Sequence, residues 1–355
     1  MAHRLDTLRQ LADAHGADVA LVTHPPDLRW VVGFTGSNGV LVVSPADAHF
    51  VTDGRYTEQA RDEVDGAEVH IAPSSLGEYV ARSAWWPEDG RAVVSSDHLT
   101  VALFDRLRRQ LEPVELVAVE GLLVEAVARK SEAEIAGVRA AQALTSDVFD
   151  AILPRLAPGV TEREIAAHIV FEHLSRGASA MSFEPIVAAG ARGALPHARA
   201  SDRPLESGDL VVIDMGGVVG GLCSDMTRTV AIGEPGDEAR HAYDLVLRAQ
   251  LAACEAARAG MTGRELDAVA RDILVDGGLG AAFSHSLGHG VGYEVHEWPR
   301  LSQQVEHVLP AGATVTIEPG VYLPGRFGIR IEDVIVLREG RADNLTVTPK
   351  ALLVL

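Results

Sequence analysis

The chain has 355 residues, enough for two domains that each bury a core, and a globular composition with 47% hydrophobic and 23% charged residues. Fifty acids against 31 bases leave a net charge of −19, which argues against nucleic acid or an anionic membrane as a partner. The N-terminus (MAHRLDTLRQLADAHG) is charged throughout, no apolar run approaches the ~20 residues of a membrane helix, and the two cysteines, Cys223 and Cys254, fit buried free thiols; a cytoplasmic protein is expected.

Residues 1–125 read as alternating helix and strand. A helix over 3–15 leads to strands at 20–22, 39–43 and 48–52; helices near 55–65, 76–86 and 98–111 follow, with strands near 92–95 and 114–117. That alternation predicts a compact α/β domain. Its histidines His24, His49, His70 and His98 are scattered along the chain and read as surface or core residues rather than ligands.

The second domain is predicted over 126–355. Ser131 and Glu134 form a capping box opening a long helix, whose apolar positions Ile135, Val138, Leu144, Val148 and Ile152 recur at helical spacing and which Pro158-Gly159 closes. Thr161/Glu164 and Thr262/Glu265 make two further boxes. The segments around them, APGVTEREIAAHI (157–169) and RAGMTGRELDAVA (258–270), match at an offset of 101. A spacing this long predicts two pseudo-symmetric halves of one domain rather than a solenoid.

The halves carry matching carboxylates. LVVIDMGG (210–217) aligns with TVTIEPGV (314–321), placing Asp214 over Glu318, and GLCSD (221–225) aligns with GIRIE (328–332), placing Asp225 over Glu332. Reading each pair as a hairpin with its acids opposite one another centres the first turn between residues 219 and 220, inside GGVVGG, and the second on Gly325, inside PGRFG. Solvent-facing acids are the bland alternative. The apolar runs LVVI and VTI before Asp214 and Glu318 oppose it, because buried acids without partners cost several kcal/mol each. His289, in SHSLGHGVG, adds an imidazole between glycines that permit close backbone approach. Four carboxylates with one imidazole suit two divalent ions, Mn(II) foremost, with Co(II), Fe(II) or Zn(II) acceptable, and such a pair would ionise a water near neutral pH.

The motifs VVIDMGG…SDMTRT, LGHGVG…VHEWP, TIEPGVY and GIRIEDVIVL resemble the metallopeptidases of the pita-bread fold, in the order and spacing of the proline-specific branch, aminopeptidase P and prolidase (Xaa-Pro dipeptidase). DLRWVVGFTGSNG (27–39) and TDGRYTEQA (52–60) resemble the creatinase-like N-terminal domain of that branch. The resemblance implies an α/β chain with a creatinase-like domain before a duplicated pita-bread domain. It implies that Asp214 chelates one metal, that Asp225 and Glu332 bridge both, and that His289 and Glu318 complete the second. His197 (ALPHAR) and His296 (VHEWP) would contact the scissile peptide and the tetrahedral centre, with Glu318 passing a proton to the leaving nitrogen. His285, Tyr322 and Arg330 would line the proline subsite, while Glu297 and Glu306 read as structural. The expected activity is an Xaa-Pro aminopeptidase on short proline-containing peptides, working as a homodimer. The alternatives are a dipeptidase restricted to Xaa-Pro, a methionine-aminopeptidase-like activity, or a non-catalytic peptide-binding module.

Overall fold

The computed structural model describes residues 2–355, with side chains from residue 3 onward. The chain divides into two units, Met1–Val127 and Ala128–Leu355. The first is built on a six-stranded mixed sheet of β1 (Val19–Val22), β2 (Gly39–Val43), β3 (Ala48–Asp53), β4 (Glu68–Ala72), β5 (Arg91–Ser95) and β6 (Glu115–Val119), in the order β4-β3-β2-β1-β5-β6. The pairs β3–β4, β1–β5 and β5–β6 are parallel. All five residues of β2 are buried, as its unbroken GVLVV run requires of a strand covered on both faces. One helix, Pro25–Val32, is not among the expected elements: its two leading prolines occupy the first turn, where a missing N–H costs nothing. Gly33, at φ 85°, closes it. The helix expected over 76–86 stops at Arg82, and Trp86 turns back to donate from Nε1 to the Val80 carbonyl (2.7 Å).

In the second unit all three capping boxes are made, opening helices Glu132–Ile152, Glu162–Ser175 and Gly263–Asp276. The last two have the same 14-residue length and start 101 residues apart, so the duplication is structural. Their equivalent residues Ile165 and Leu266 are both fully buried, each in the core of its own half, where such a side chain contributes roughly 1.5–3 kcal/mol. The long helix ends at Ile152, before Pro158-Gly159, and passes into a single tight turn over Leu153–Arg155.

The strands of the first half are β7 (Ala180–Met181), β8 (Ile186–Ala189), β9 (Leu210–Met215), β10 (Gly217–Val219), β11 (Leu222–Cys223) and β12 (Met226–Ala231). Those of the second are β13 (Gly288–Gly290), β14 (Glu297–Leu301), β15 (Thr314–Ile317), β16 (Gly320–Leu323), β17 (Phe327–Arg330), β18 (Asp333–Val336) and β19 (Asp343–Asn344). The central sheets run β12-β9-β8 and β14-β13-β15-β18-β19. No helix among the described residues is long and apolar enough to cross a membrane.

Candidate metal centre

Each carboxylate pair sits on a long hairpin interrupted partway. In the second hairpin β15–β18 pairs Ile317 with Asp333 and β16–β17 pairs Gly320 with Arg330, so Glu318 and Glu332 lie at opposite positions in the break and the turn centres on Gly325, as expected. The first hairpin differs by two residues. Asp214 faces Thr227, and Val219 pairs with Leu222 across Gly220-Gly221, which both have positive φ (54° and 74°). A turn centred between 219 and 220 would force β-branched Val219 to positive φ, which only the glycines accept without strain. A two-residue slip preserves the face, so Asp225 stays on the side of Asp214, displaced along the strand.

Threonines on β12 stitch the hairpins together. Thr229 Oγ1 donates to the Arg330 carbonyl (3.0 Å) and accepts from its N–H (3.1 Å), and the Glu332 N–H donates to the Thr227 carbonyl (3.1 Å). This lacing gathers the acids. Asp225, His289 and Glu332 bring ligand atoms within 4.8 Å of one another. His289 Nε2 lies 3.7 Å from Asp225 Oδ2 and 3.2 Å from Glu318 Oε1. Its Nδ1 donates to the Gly290 carbonyl (3.0 Å), which leaves Nε2 as the atom turned toward the acids. Gly288 and Gly290 do flank a close approach, but to protein rather than metal: a Cβ would strike the Thr316 carbonyl at the first and the Trp298 carbonyl at the second.

The surroundings hold each acid in place. Thr227 Oγ1 donates to Glu332 Oε2 (2.7 Å) and Thr316 Oγ1 to Glu318 Oε1 (3.1 Å). Gln142, midway along the long helix, clamps the Asp225 backbone, accepting from its N–H (3.1 Å) and donating to its carbonyl (2.9 Å). Arg330 is buried and fully engaged. It donates from Nη2 to Asp214 Oδ2 (2.6 Å), from Nε to Thr227 Oγ1 (3.1 Å), and from Nη1 to Tyr322 Oη (2.8 Å) and the Pro196 carbonyl (3.3 Å). Tyr322 Oη in turn lies 2.9 Å from His285 Nε2, whose ring donates from Nδ1 to the Ser286 carbonyl (2.8 Å). Arg330 and Tyr322 thus form a brace behind the acids, with His285 at its far end.

The electrostatics call for cations. Burial first, then the neighbouring carboxylates, push Asp225 and Glu332 well above the usual carboxylate range. Burial also raises Asp214, against the pull of Arg330. Glu318 is the exception: burial raises it, but the hydrogen bond and charge of His289 outweigh that and carry it down to about 2. Asp214 Oδ1 is buried without a hydrogen-bond partner, although its sister oxygen is taken by Arg330. An orphaned carboxylate oxygen beside mutually repelling acids and one imidazole lone pair fits a divalent-metal donor set.

Two histidines edge this cluster. His296 is exposed, and its ring meets that of His289 edge-on at 4.3 Å between centroids. Partial burial and the charge of His289 lower its pKa, so it is neutral near pH 7 and can donate one N–H. His197 is exposed, follows the Pro196 carbonyl fixed by Arg330, and its charge reaches both His285 and His296. Glu297 is a buried partner of Lys130 and accepts from the Tyr293 N–H (3.0 Å), and Glu306 pairs on the surface with Arg264. Cys223 is buried and Cys254 half-buried, both as free thiols. Thr227, Thr316 and Gln142 are absent from the expected site. A threonine on a strand looks like an ordinary strand former, and a glutamine on a helix like a solvent residue.

Residues 136–339 match the model of metallopeptidase family M24, and residues 4–127 match the creatinase/prolidase N-terminal domain. The chain belongs to metallopeptidase family M24. Its likeness runs end to end. A solved structure of an Xaa-Pro dipeptidase from Bacillus anthracis is 37% identical, with TM-score 0.96 over 100% of this chain and 99% of that one. The Xaa-Pro dipeptidase of Pyrococcus furiosus is 34% identical over 99% of this chain and 100% of its own length. An X-Pro aminopeptidase structure from Thermotoga maritima is 35% identical, with TM-score 0.91 over 98% of this chain and 100% of that one. The protein is a pita-bread metallopeptidase of the proline-specific branch, with its creatinase-type domain first.

Proposed function

We propose that the chain is an Xaa-Pro dipeptidase, cleaving the bond before a C-terminal proline. This reverses the order expected from sequence, where the aminopeptidase stood first. The observation that carries it is the full-length likeness to dipeptidases at 37% and 34% identity, supported by the gathering of Asp225, His289 and Glu332 within 4.8 Å of one another.

Asp214, Asp225, His289, Glu318 and Glu332 would hold two divalent ions, with Mn(II) the cation we propose from the oxygen-rich set. When bound, such ions supply a water ionised near neutral pH and a Lewis acid for the scissile carbonyl. The rest is done by side chains. Glu318, ionised throughout the working pH range, takes a proton at its carboxylate and passes it to the proline nitrogen as that bond breaks. His296 and His197 donate hydrogen bonds to the carbonyl oxygen as it gains charge. The brace from Arg330 through Tyr322 to His285 fixes Asp214 at one end and shapes the proline subsite at the other. Asp214 and Arg330 form a buried pair, so the subsite inherits its rigidity from the metal cluster.

Manganese-loaded protein should release proline from Ala-Pro and leave Ala-Pro-Ala intact, and chelator should abolish the reaction. Release of alanine from Ala-Pro-Ala at a comparable kcat/KM would establish the aminopeptidase instead. We also propose a homodimer, expected near twice the 37.7 kDa chain mass by light scattering.

A further inference from the structure

The N-terminal unit gathers histidines that lie far apart in the sequence. On the parallel pair β3–β4, His49 faces Glu68 and Val51 faces His70. Residues two apart on a strand share a face, so His49, Glu68 and His70 stand together at the edge of the sheet. His49 Nδ1 lies 3.1 Å from His70 Nε2 and 3.5 Å from Glu68 Oε2, and His70 Nε2 lies 3.8 Å from the same oxygen. Tetrahedral ligation with bonds of about 2.1 Å sets ligand atoms about 3.4 Å apart. The observed triangle brackets that edge length.

The rings are oriented and supported for this. His49 and His70 are tilted by 53° rather than stacked, and it is His49 Nδ1 and His70 Nε2 that face one another. Trp85 stacks on His49 at 4.2 Å and packs on His70 at 4.7 Å, restricting both rings. Both imidazoles are largely buried, with side-chain exposures of 13% and 18%. A cavity of about 460 Å³ lined by His70, Tyr79, Arg82 and Trp85 opens beside the group, and Glu68 reaches solvent. A second group, His24, Asp27 and His98, fails the same test. Its imidazoles stack within 1° of parallel at 3.5 Å, so their lone pairs run side by side and cannot meet on one ion.

We infer that His49, Glu68 and His70 form a metal site separate from the M24 cluster, taking one late first-row divalent cation, zinc(II) foremost. Two imidazoles with one carboxylate favour zinc, nickel or copper over the hard ions suited to an oxygen-rich cage. The cation would replace the proton now shared between His49 Nδ1 and His70 Nε2. Three protein ligands leave one coordination position for water or a small anion.

The test is zinc stoichiometry on the full chain, equilibrated with zinc(II), desalted and read by mass spectrometry. His49→Gln and His70→Gln should each hold one zinc fewer per chain than the wild type, while manganese-supported peptidase activity stays within about twofold. Glu68→Gln, at a side chain that is 70% exposed, should bind zinc about tenfold more weakly. Identical zinc content in wild type and both histidine variants overturns the site. Should the histidine variants lose their fold by circular dichroism, zinc-soaked wild-type crystals decide. An anomalous peak joining His49 Nδ1 and His70 Nε2 supports the site, and its absence in crystals whose M24 cluster holds zinc refutes it.

Discussion

Thr227→Val tests whether the cage depends on the residues behind its ligands. The change is nearly isosteric at a fully buried position and removes one hydroxyl. That hydroxyl donates to Glu332 Oε2 at 2.7 Å and accepts from Arg330 Nε at 3.1 Å, so its loss strips a charged acceptor and a charged donor together. A hydrogen bond to a charged group is worth roughly 1.5–3 kcal/mol. Independently, loss of a group that orients a metal ligand typically costs about 10–100-fold in metal affinity, or about 1.4–2.8 kcal/mol. Only the bond to Glu332 bears on a metal ligand, and it alone is of that size, so manganese should bind Thr227→Val about 10–100-fold more weakly in calorimetric titration. Thr227→Ser keeps the oxygen and should stay within about threefold of wild type. A valine variant that binds manganese as tightly as wild type would show that Glu332 is held by the backbone alone, and the argument would fall.

Other outcomes follow from the same contacts. Asp225→Asn and Glu332→Gln should each lose stoichiometric metal and nearly all activity, and full turnover with two ions bound in either would refute the two-metal assignment. His296→Ala should keep its metal, since the ring touches His289 without replacing it, and lose on the order of 10²–10³ in kcat as one donor to the developing charge disappears. Metal content measured beside kcat separates that outcome from loss of a ligand. Measured against the metal-loaded protein, the metal-free protein should lose melting temperature as pH rises. Asp225 and Glu332 have folded pKa values raised above their ordinary 3.8 and 4.5, so their favourable contribution is complete below those values and is lost as pH climbs through the folded ones. Glu318, lowered to about 2, works the opposite way, but its contribution falls away only below 4.5. As pH rises above 4.5 the melting temperature of chelated protein should therefore fall relative to that of metal-loaded protein, which gains as protons stop competing; equal slopes in scanning fluorimetry would contradict the assignment. Lys130→Met should cost about 3–5 kcal/mol in denaturant unfolding, because it leaves Glu297 buried beside the emptied position.

What the sequence reveals and what it hides divide along a physical line. The duplication is legible because capping boxes are local: Thr161/Glu164 and Thr262/Glu265 satisfy their own backbone within four residues, whatever surrounds them. The carboxylate pairs are legible because an acid after a buried apolar run has few reasons to be there. Register is only half legible. Gly325 stands alone in its turn and fixes the centre, whereas GGVVGG offers two glycine pairs and only the positive φ of Gly220 and Gly221 shows which pair turns. Contacts between elements are not legible. Nothing along the chain links Gln142 to Asp225 or Thr227 to Arg330, 83 and 103 residues apart. The same blindness made His49 and His70 look scattered, since 21 residues separate them and a tight turn and a helix lie between their strands. They converge only because β3 and β4 are parallel and adjacent, a pairing that hydrophobic pattern does not encode. Residues whose chemistry is expressed within one turn or one hairpin are therefore the ones a sequence declares. Those whose partners arrive from another element, which here include Gln142, Thr227 and Arg330, come into view only with the fold.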